Sequence, residues 1–204
     1  MYGTFYNPNI NGINDQNNSF DHTQDTFKAF VDAVIPRSPK LAEEFGRIQY
    51  FGALDLHVDE YMIMSLNNYY IPLAKPTAEI LDIAAEQLVF MGGNNRLFNY
   101  LRFPRGGIFA ALSPGDRFRA FTLLVQLNIK LEDLPEPYKD NPELVLSITS
   151  ALNRFTMMGY YSEWSGYGST RLMEPNQRVL EYFPLSWNQV GYPGPSLGYR
   201  ALRE

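Results

Sequence analysis

"SPGDRFRAFTLLVQL" (Ser113 to Leu127) decides the fold class, because it contains the clearest helix start in the chain. Ser113 is a favourable N-cap residue, Pro114 suits the first helical position, and Asp116 occupies the capping-box position. Apolar residues then follow at helical spacing, namely Phe118, Phe121, Leu124 and Val125. The sequence therefore predicts a helix that begins at Pro114.

The same pattern recurs along the chain. In "NPELVLSITSALNRFTMMGYYS", Asn141 is the predicted N-cap and Pro142 the first helical residue, and Leu144, Ile148, Leu152, Phe155 and Met158 form the predicted stripe. Three further helical stretches are predicted over residues 23–35 with Thr23 as the cap, over about residues 53–67 after a shorter helix, and over residues 75–91. No series of alternating apolar and polar residues predicts strands. We therefore expect an all-α domain of five to six helices.

The two ends of the chain have a different composition. Residues 1–19 are rich in Asn and are predicted to form an arm that is either disordered or ordered by aromatic contacts with a neighbour. Residues 20–204 form the predicted helical domain. After Tyr161 the chain is rich in Gly, Pro and aromatic residues, and one short helix is predicted from Pro175 to Tyr182. The remainder is predicted to be an irregular aromatic wrap over the helices.

Composition excludes several classes of function. The 204 residues carry a formal net charge of −5, which argues against binding to nucleic-acid phosphates. The chain has no cysteine, which excludes thiolate metal sites and thiol catalysis. No stretch is long and apolar enough to span a membrane, and no signal peptide precedes Lys28, so a cytoplasmic or spore-associated location is expected.

The sequence contains only weak signals for a metal-binding or phosphate-binding site. His57 and Glu60 lie one helical turn apart, as two metal ligands would, but a local contact on a polar face explains them as well. Glycine turns beside Arg96, Arg102 and Arg105 match no phosphate-binding motif, although these arginines could contact carboxylates of a partner. The sequence therefore predicts no catalytic residue, no cofactor-binding residue and no metal ligand.

Four quoted motifs carry a resemblance to a known family. They are "FVDAVIP" (Phe30 to Pro36), "LSPGDR" (Leu112 to Arg117), "GYYSEWSGYG" (Gly159 to Gly168) and "WNQVGYPGPSLGY" (Trp187 to Tyr199). In their order and content they resemble the gluconate 2-dehydrogenase subunit 3 family. The likeness extends over roughly residues 23–199, and the C-terminal third supplies most of its specificity. Twin-arginine export signals are common in that family, whereas this sequence shows none.

The resemblance implies a non-catalytic accessory subunit. In that family the partner is a GMC-type flavoprotein, which carries FAD and oxidises sugars or sugar acids, and the small subunit supports its folding, flavin loading or export. The resemblance therefore implies no cofactor in this chain. The residues expected to contact the partner, or to support that contact, are Tyr160, Tyr161, Trp164, Tyr167, Trp187, Tyr192 and Tyr199.

A second function class remains open. High Tyr content and the Asn-rich arm are also compatible with a self-associating structural protein of an envelope, a spore coat or a crystalline inclusion. Such a protein would keep the fold without an enzyme partner.

Overall fold

The computed structural model describes residues 9–194, with side chains from residue 19 onward, and consists of α-helices joined by turns and short 3₁₀ helices. The α-helices in this part of the chain are α1 (Asn9–Val34), α2 (Pro39–Phe45), α3 (Val58–Asn67), α4 (Ala74–Phe90), α5 (Ile108–Ala111), α6 (Pro114–Val125), α7 (Pro142–Tyr161) and α8 (Leu185–Val190). The 3₁₀ helices are Arg47–Tyr50, Ala53–Leu56, Leu131–Asp133, Trp164–Thr170 and Pro175–Gln177. Residues 9–194 contain no strand, which confirms the predicted all-α class.

Both predicted helix starts with a proline are confirmed. The Ser113 hydroxyl accepts a hydrogen bond from the backbone N–H of Asp116 at 3.3 Å, and α6 begins at Pro114. The Asn141 side chain accepts from the backbone N–H of Leu144 at 3.1 Å, at the start of α7. These caps satisfy backbone donors that a helix start otherwise leaves without partners.

The first helix is longer than predicted. It begins at Asn9, so Thr23 lies inside α1 and its hydroxyl donates to the carbonyl of Ser19 at 2.9 Å instead of capping the helix. Residues 9–19 of the predicted arm therefore continue α1, because the weak helix propensity of an Asn-rich stretch does not by itself end a helix. The predictions for residues 1–8 lie outside the described residues.

The predicted helix over residues 53–67 is divided in two. His57 adopts the left-handed conformation, with φ of 54°, between the 3₁₀ helix Ala53–Leu56 and α3. A non-glycine residue rarely adopts this conformation, and no sequence pattern at His57 predicts it. The break turns the carbonyl of His57 into a hydrogen-bond acceptor for the C-terminal part of the chain.

The core lies around α4, which packs against α1, α3 and α6, while α3 also packs against α7. Large side chains from all these helices are fully or almost fully buried, including Phe27, Phe30, Met62, Leu66, Ile80, Leu81, Leu124, Ile148 and Leu152. This continuous core holds the described helices together as one domain.

The predicted apolar stripes are partly wrong at their edges. On α6, Leu124 is buried, but Phe118 and Val125 are 44% and 45% exposed. Met158 on α7 is also exposed. The inward face of α6 includes two charged residues, Asp116 and Arg117, which an analysis of apolar spacing alone assigns to solvent.

Buried Arg117 binds four acceptors. Its guanidinium donates to the backbone carbonyls of Ala29, Phe109 and Ala110 and contacts the Asp32 carboxylate at 3.5 Å. Burial lowers the pKa of Arg117 to about 10, which still leaves it protonated at neutral pH. This residue therefore joins α1, α5 and α6 through one buried cation.

The C-terminal part is more regular than predicted. The short helix predicted from Pro175 to Tyr182 is limited to one 3₁₀ turn, and α8 forms instead at Leu185–Val190, inside the predicted irregular wrap. Gly191, with φ of 67°, ends α8 in the left-handed conformation that glycine adopts without strain. The wrap beyond Gly194 lies outside the described residues.

Candidate partner-binding surface

Tyr160 is a buried residue that fixes the C-terminal end of α7 in place. Its side chain is 1% exposed, and its hydroxyl lies 3.0 Å from the carbonyl oxygen of Ile48 and 2.8 Å from that of Phe51. Burial raises the pKa of Tyr160 to about 12, so it remains a donor at any physiological pH. Tyr160 thereby holds α7 against the turn that follows the 3₁₀ helix Arg47–Tyr50.

Trp164 has the same kind of supporting position. It is 2% exposed, and its indole N–H donates to the carbonyl of His57 at 2.8 Å. Its ring meets that of Tyr61 edge-on, with centroids 5.3 Å apart, and the Arg178 guanidinium lies over it at 5.8 Å. The left-handed His57 thus supplies the acceptor that a buried indole needs.

The helix α8 is anchored by its polar side chains. The indole N–H of Trp187 donates to the carbonyl of Tyr161 at 3.3 Å. The side chain of Gln189 accepts from the backbone N–H of Ile48 at 3.3 Å and donates to the carbonyl of Phe45 at 2.7 Å. These contacts attach α8 to the end of α7 and to the turn after α2.

An aromatic groove lies beside α8. It has a volume of about 290 Å³ and is lined by Glu163, Tyr167, Leu180, Trp187 and Tyr192. The Tyr167 hydroxyl donates to the Glu163 carboxylate at 3.3 Å. Burial and the nearby Glu163 raise the pKa of Tyr167, so the hydroxyl stays protonated and keeps this contact.

Rings on the outer side of α8 form a continuous exposed cluster. Trp187 lies between Phe183 and Tyr192, with centroid distances of 6.1 Å and 4.9 Å. Phe183, Tyr192 and Tyr161 are each about half exposed, and Val190 is 76% exposed. We define the C-terminal aromatic surface as Tyr161, Tyr167, Phe183, Trp187, Val190 and Tyr192.

The structure divides the predicted contact residues into two groups. Tyr160 and Trp164 are buried and can only support a contact. Tyr161, Tyr167, Trp187 and Tyr192 lie on the C-terminal aromatic surface, where a partner can reach them. Tyr199 lies outside the described residues.

Sequence reasoning missed Phe183, Val190 and Gln189. Phe183 and Val190 had a signal, since they are large apolar residues next to breakers in a weakly charged stretch. Gln189 had none, because its role as a link between α8 and the turn after α2 depends on a contact across 141 residues of sequence.

Of the other sequence candidates, His57, Glu60, Arg102 and Arg105 have intramolecular partners. His57 Nδ1 lies 3.5 Å from Glu60, and Glu60 also accepts two hydrogen bonds from Arg171 at 2.7 and 3.1 Å. Arg102 pairs with Asp32 at 2.5 Å and Arg105 pairs with Asp21. These contacts hold α1, α3 and the turns in place.

Among the described residues, no group of three or more His, Asp or Glu side chains is arranged to hold a metal ion. None of the described helices is long and apolar enough to cross a membrane. Comparison of the chain with protein-family models, with curated proteins and with solved structures finds no match.

Proposed function

We propose that this protein is a non-catalytic accessory subunit that binds and supports a GMC-type, FAD-dependent sugar or sugar-acid dehydrogenase. The resemblance of the C-terminal third to the gluconate 2-dehydrogenase subunit 3 family suggests this partner. The observation that carries the proposal is the C-terminal aromatic surface, where half-exposed rings lie at the end of α7 and around the anchored helix α8. Tyr and Trp are enriched in protein interfaces because they combine large apolar area with a polar group.

Rigid anchoring of this surface favours binding over simple coverage of the core. Buried Tyr160 and Trp164 and the two hydrogen bonds of Gln189 fix α7 and α8 relative to the rest of the domain. A surface fixed before binding loses little conformational entropy when a partner docks. The core beneath is already closed, so the outer faces of Phe183 and Tyr192 contribute little to it.

Co-expression with the GMC-type large subunit of the same genome tests the proposal. The tagged chain should retain the large subunit through mild salt, and flavin absorbance should elute with both proteins. The tagged chain purified alone is the control and should show no flavin absorbance. Separation of the two proteins at low salt would contradict the proposal.

Self-association is the second candidate function, and one observation favours it. Large apolar side chains are exposed on several parts of the surface besides α8, including Phe45, Tyr70, Ile71, Phe90, Leu97, Leu101 and Leu172. Light scattering over a range of concentrations separates the two functions. Growth of closed or open assemblies by the chain alone supports self-association, whereas a monomer that forms a complex only with the flavoprotein supports the subunit role.

A further inference from the structure

The aromatic groove beside α8 combines aromatic rings with a carboxylate. Its lining, among the described residues, consists of three rings, one leucine and one acidic side chain, namely Tyr167, Trp187, Tyr192, Leu180 and Glu163. The volume of about 290 Å³ lies just below the range of about 300–1,000 Å³ that is usual for ligand pockets. The groove therefore has room for one side chain or one small molecule.

Glu163 has an oxygen atom available to a ligand. Its Oε1 atom accepts a hydrogen bond from the Tyr167 hydroxyl at 3.3 Å. Within residues 19–194, the Oε2 atom accepts no hydrogen bond, and no Lys, Arg or His side chain lies within ion-pair distance of this carboxylate. Glu163 is partly buried, so it leaves a negative charge inside the groove that no cation of this part of the chain neutralises. Such a charge attracts a cation.

The rings of the groove favour the same kind of ligand. The face of an aromatic ring is negative and attracts cations, and the guanidinium of arginine makes this contact more often than the ammonium of lysine. The rings of Trp187 and Tyr192 meet at 84°, with centroids 4.9 Å apart, and thus form a corner and not a flat platform. A cation in the groove can contact aromatic rings and the Glu163 carboxylate at the same time.

An arginine of the chain itself already packs on a ring in the same segment. The guanidinium of Arg178 lies 5.8 Å from the centre of the Trp164 ring. It also donates to the carbonyl of Met173 at 2.9 Å and contacts the sulfur of Met64 at 3.1 Å. Arg178 is held by these contacts and does not line the groove. It therefore leaves the charge of Glu163 available.

We propose that the aromatic groove binds an arginine side chain of the protein partner. This inference rests on the proposed function, because it names the group through which the partner meets the C-terminal aromatic surface. A guanidinium is planar, stacks on aromatic rings and pairs with a carboxylate, whereas the ammonium of lysine is compact and strongly hydrated. An apolar side chain would bury the Glu163 carboxylate without a partner, which is unfavourable. An anionic group would be repelled by it.

Titration of the chain alone, followed by nuclear magnetic resonance, tests the groove without the flavoprotein. The probes are N-acetyl-arginine amide and N-acetyl-citrulline amide, which have nearly the same shape but differ in charge. The arginine probe should shift the indole N–H signal of Trp187, while the signal of buried Trp164 should stay unchanged as an internal reference. At constant ionic strength, the arginine probe should bind at least about fivefold more tightly than the citrulline probe, as expected for one cation–π contact.

A matched pair of variants tests the role of the carboxylate. Glu163→Gln should remove most of the difference between the two probes. Glu174→Gln removes the same charge from an exposed residue that does not line the groove, and it should bind both probes as wild type does. Circular dichroism checks that both variants keep their helices. Equal binding of the two probes to wild type, or an equal loss in both variants, would overturn the proposal.

Two other occupants of the groove are distinguished by the same titration. Choline that binds more tightly than the arginine probe would indicate a site for a free quaternary ammonium compound and would overturn the proposal. Residues 195–204 include Arg200 and Arg203, which the chain itself could place in the groove. If the arginine probe bound only after removal of residues 195–204, the occupant would be the chain's own C-terminus, and the proposal would again be overturned.

The complex with the flavoprotein separates this inference from the proposed function. Glu163→Gln should weaken the complex at least about tenfold, because a buried guanidinium loses its carboxylate, whereas Glu174→Gln should not weaken it. If wild type forms no complex, the proposed function fails, and the titration still decides whether the groove binds arginine. A complex that is equally tight with wild type and with Glu163→Gln would contradict the arginine contact alone.

Discussion

The hydroxyl group of Tyr160 lies between two backbone carbonyl oxygens, 2.8 Å from that of Phe51 and 3.0 Å from that of Ile48. It therefore joins the last turn of α7 to a segment more than 100 residues earlier in the chain. The same segment receives Gln189 of α8. The position of the C-terminal aromatic surface thus depends on this one hydroxyl group and on the residues around it.

Tyr160→Phe should destabilise the protein by about 1 kcal/mol, because the ring is kept while the one O–H donor that the Phe51 and Ile48 carbonyl groups share is lost. Urea unfolding followed by circular dichroism measures this change. Tyr161→Phe is the matched control, since Tyr161 is 48% exposed and its hydroxyl makes no hydrogen bond within residues 19–194. Equal stability of the two variants would show that the Tyr160 hydroxyl does not hold α7.

Arg117→Met should cost about 3–5 kcal/mol, as expected when one partner of a buried ion pair is removed. The substitution removes a donor from three backbone carbonyls and leaves the Asp32 carboxylate with Arg102 as its remaining cation. Arg119→Met changes a half-exposed arginine two residues away and should cost less than about 1 kcal/mol. Thermal unfolding compares the two, and a loss in Arg117→Met no larger than in the control would contradict the network.

The protein should lose stability as the pH rises and His22 loses its proton. Its Nε2 lies 2.6 Å from the Asp82 carboxylate and joins α1 to α4, and this hydrogen bond raises the pKa of His22 above 6.5 despite partial burial. The protonated form is thus favoured in the folded state. Its stabilising effect is complete below the unfolded pKa of about 6.5 and is lost as pH rises through the raised folded value.

The measurement is the difference in unfolding free energy between wild type and His22→Gln at about pH 6 and about pH 9, which brackets the ordinary titration of histidine. Wild type should be the more stable at the lower pH and should lose this advantage at the higher pH. A difference that is the same at both values would show that the contact does not depend on protonation.

Asp59→Asn should stabilise the protein at neutral pH. Asp59 is 4% exposed, and burial, together with the neighbouring Glu60, raises the pKa of its carboxyl group. A raised pKa means that the ionised form is disfavoured in the folded state, so stability is lost as pH rises through the folded value. The gain from Asn should therefore shrink as pH falls toward the unfolded value of 3.8. A variant less stable than wild type at neutral pH would contradict this account.

Local signals in the sequence predicted the helical framework well. Caps at Ser113 and Asn141 depend on neighbouring residues only, and the structure confirms both. Residues whose place depends on distant partners could not be predicted. Arg117 is buried because three carbonyls from other segments converge on it, and apolar spacing contains no information about such convergence.

In the candidate site, too, local features could be predicted from the sequence, whereas features that depend on distant residues could not. Six of the rings named from the sequence, from Tyr160 to Tyr192, lie near the ends of α7 and α8. The sequence did not distinguish buried Tyr160 from half-exposed Tyr161, although they are adjacent, because helix rotation relative to the core decides which ring turns inward. The break at His57, which provides the acceptor for Trp164, is a tertiary effect and has no signal in the sequence.

The affinity of the purified chain for the FAD-containing large subunit tests the central claim most directly. The double variant Tyr161→Ala with Tyr192→Ala alters the C-terminal aromatic surface. The control is the double variant Tyr69→Ala with Tyr70→Ala, which alters two tyrosines between α3 and α4 that are at least as exposed. The first variant should raise the Kd at least about thirtyfold, since aromatic hot spots cost about 2 kcal/mol or more, while the second should match wild type. Equal affinity of both variants, or no complex with wild type, would contradict the account.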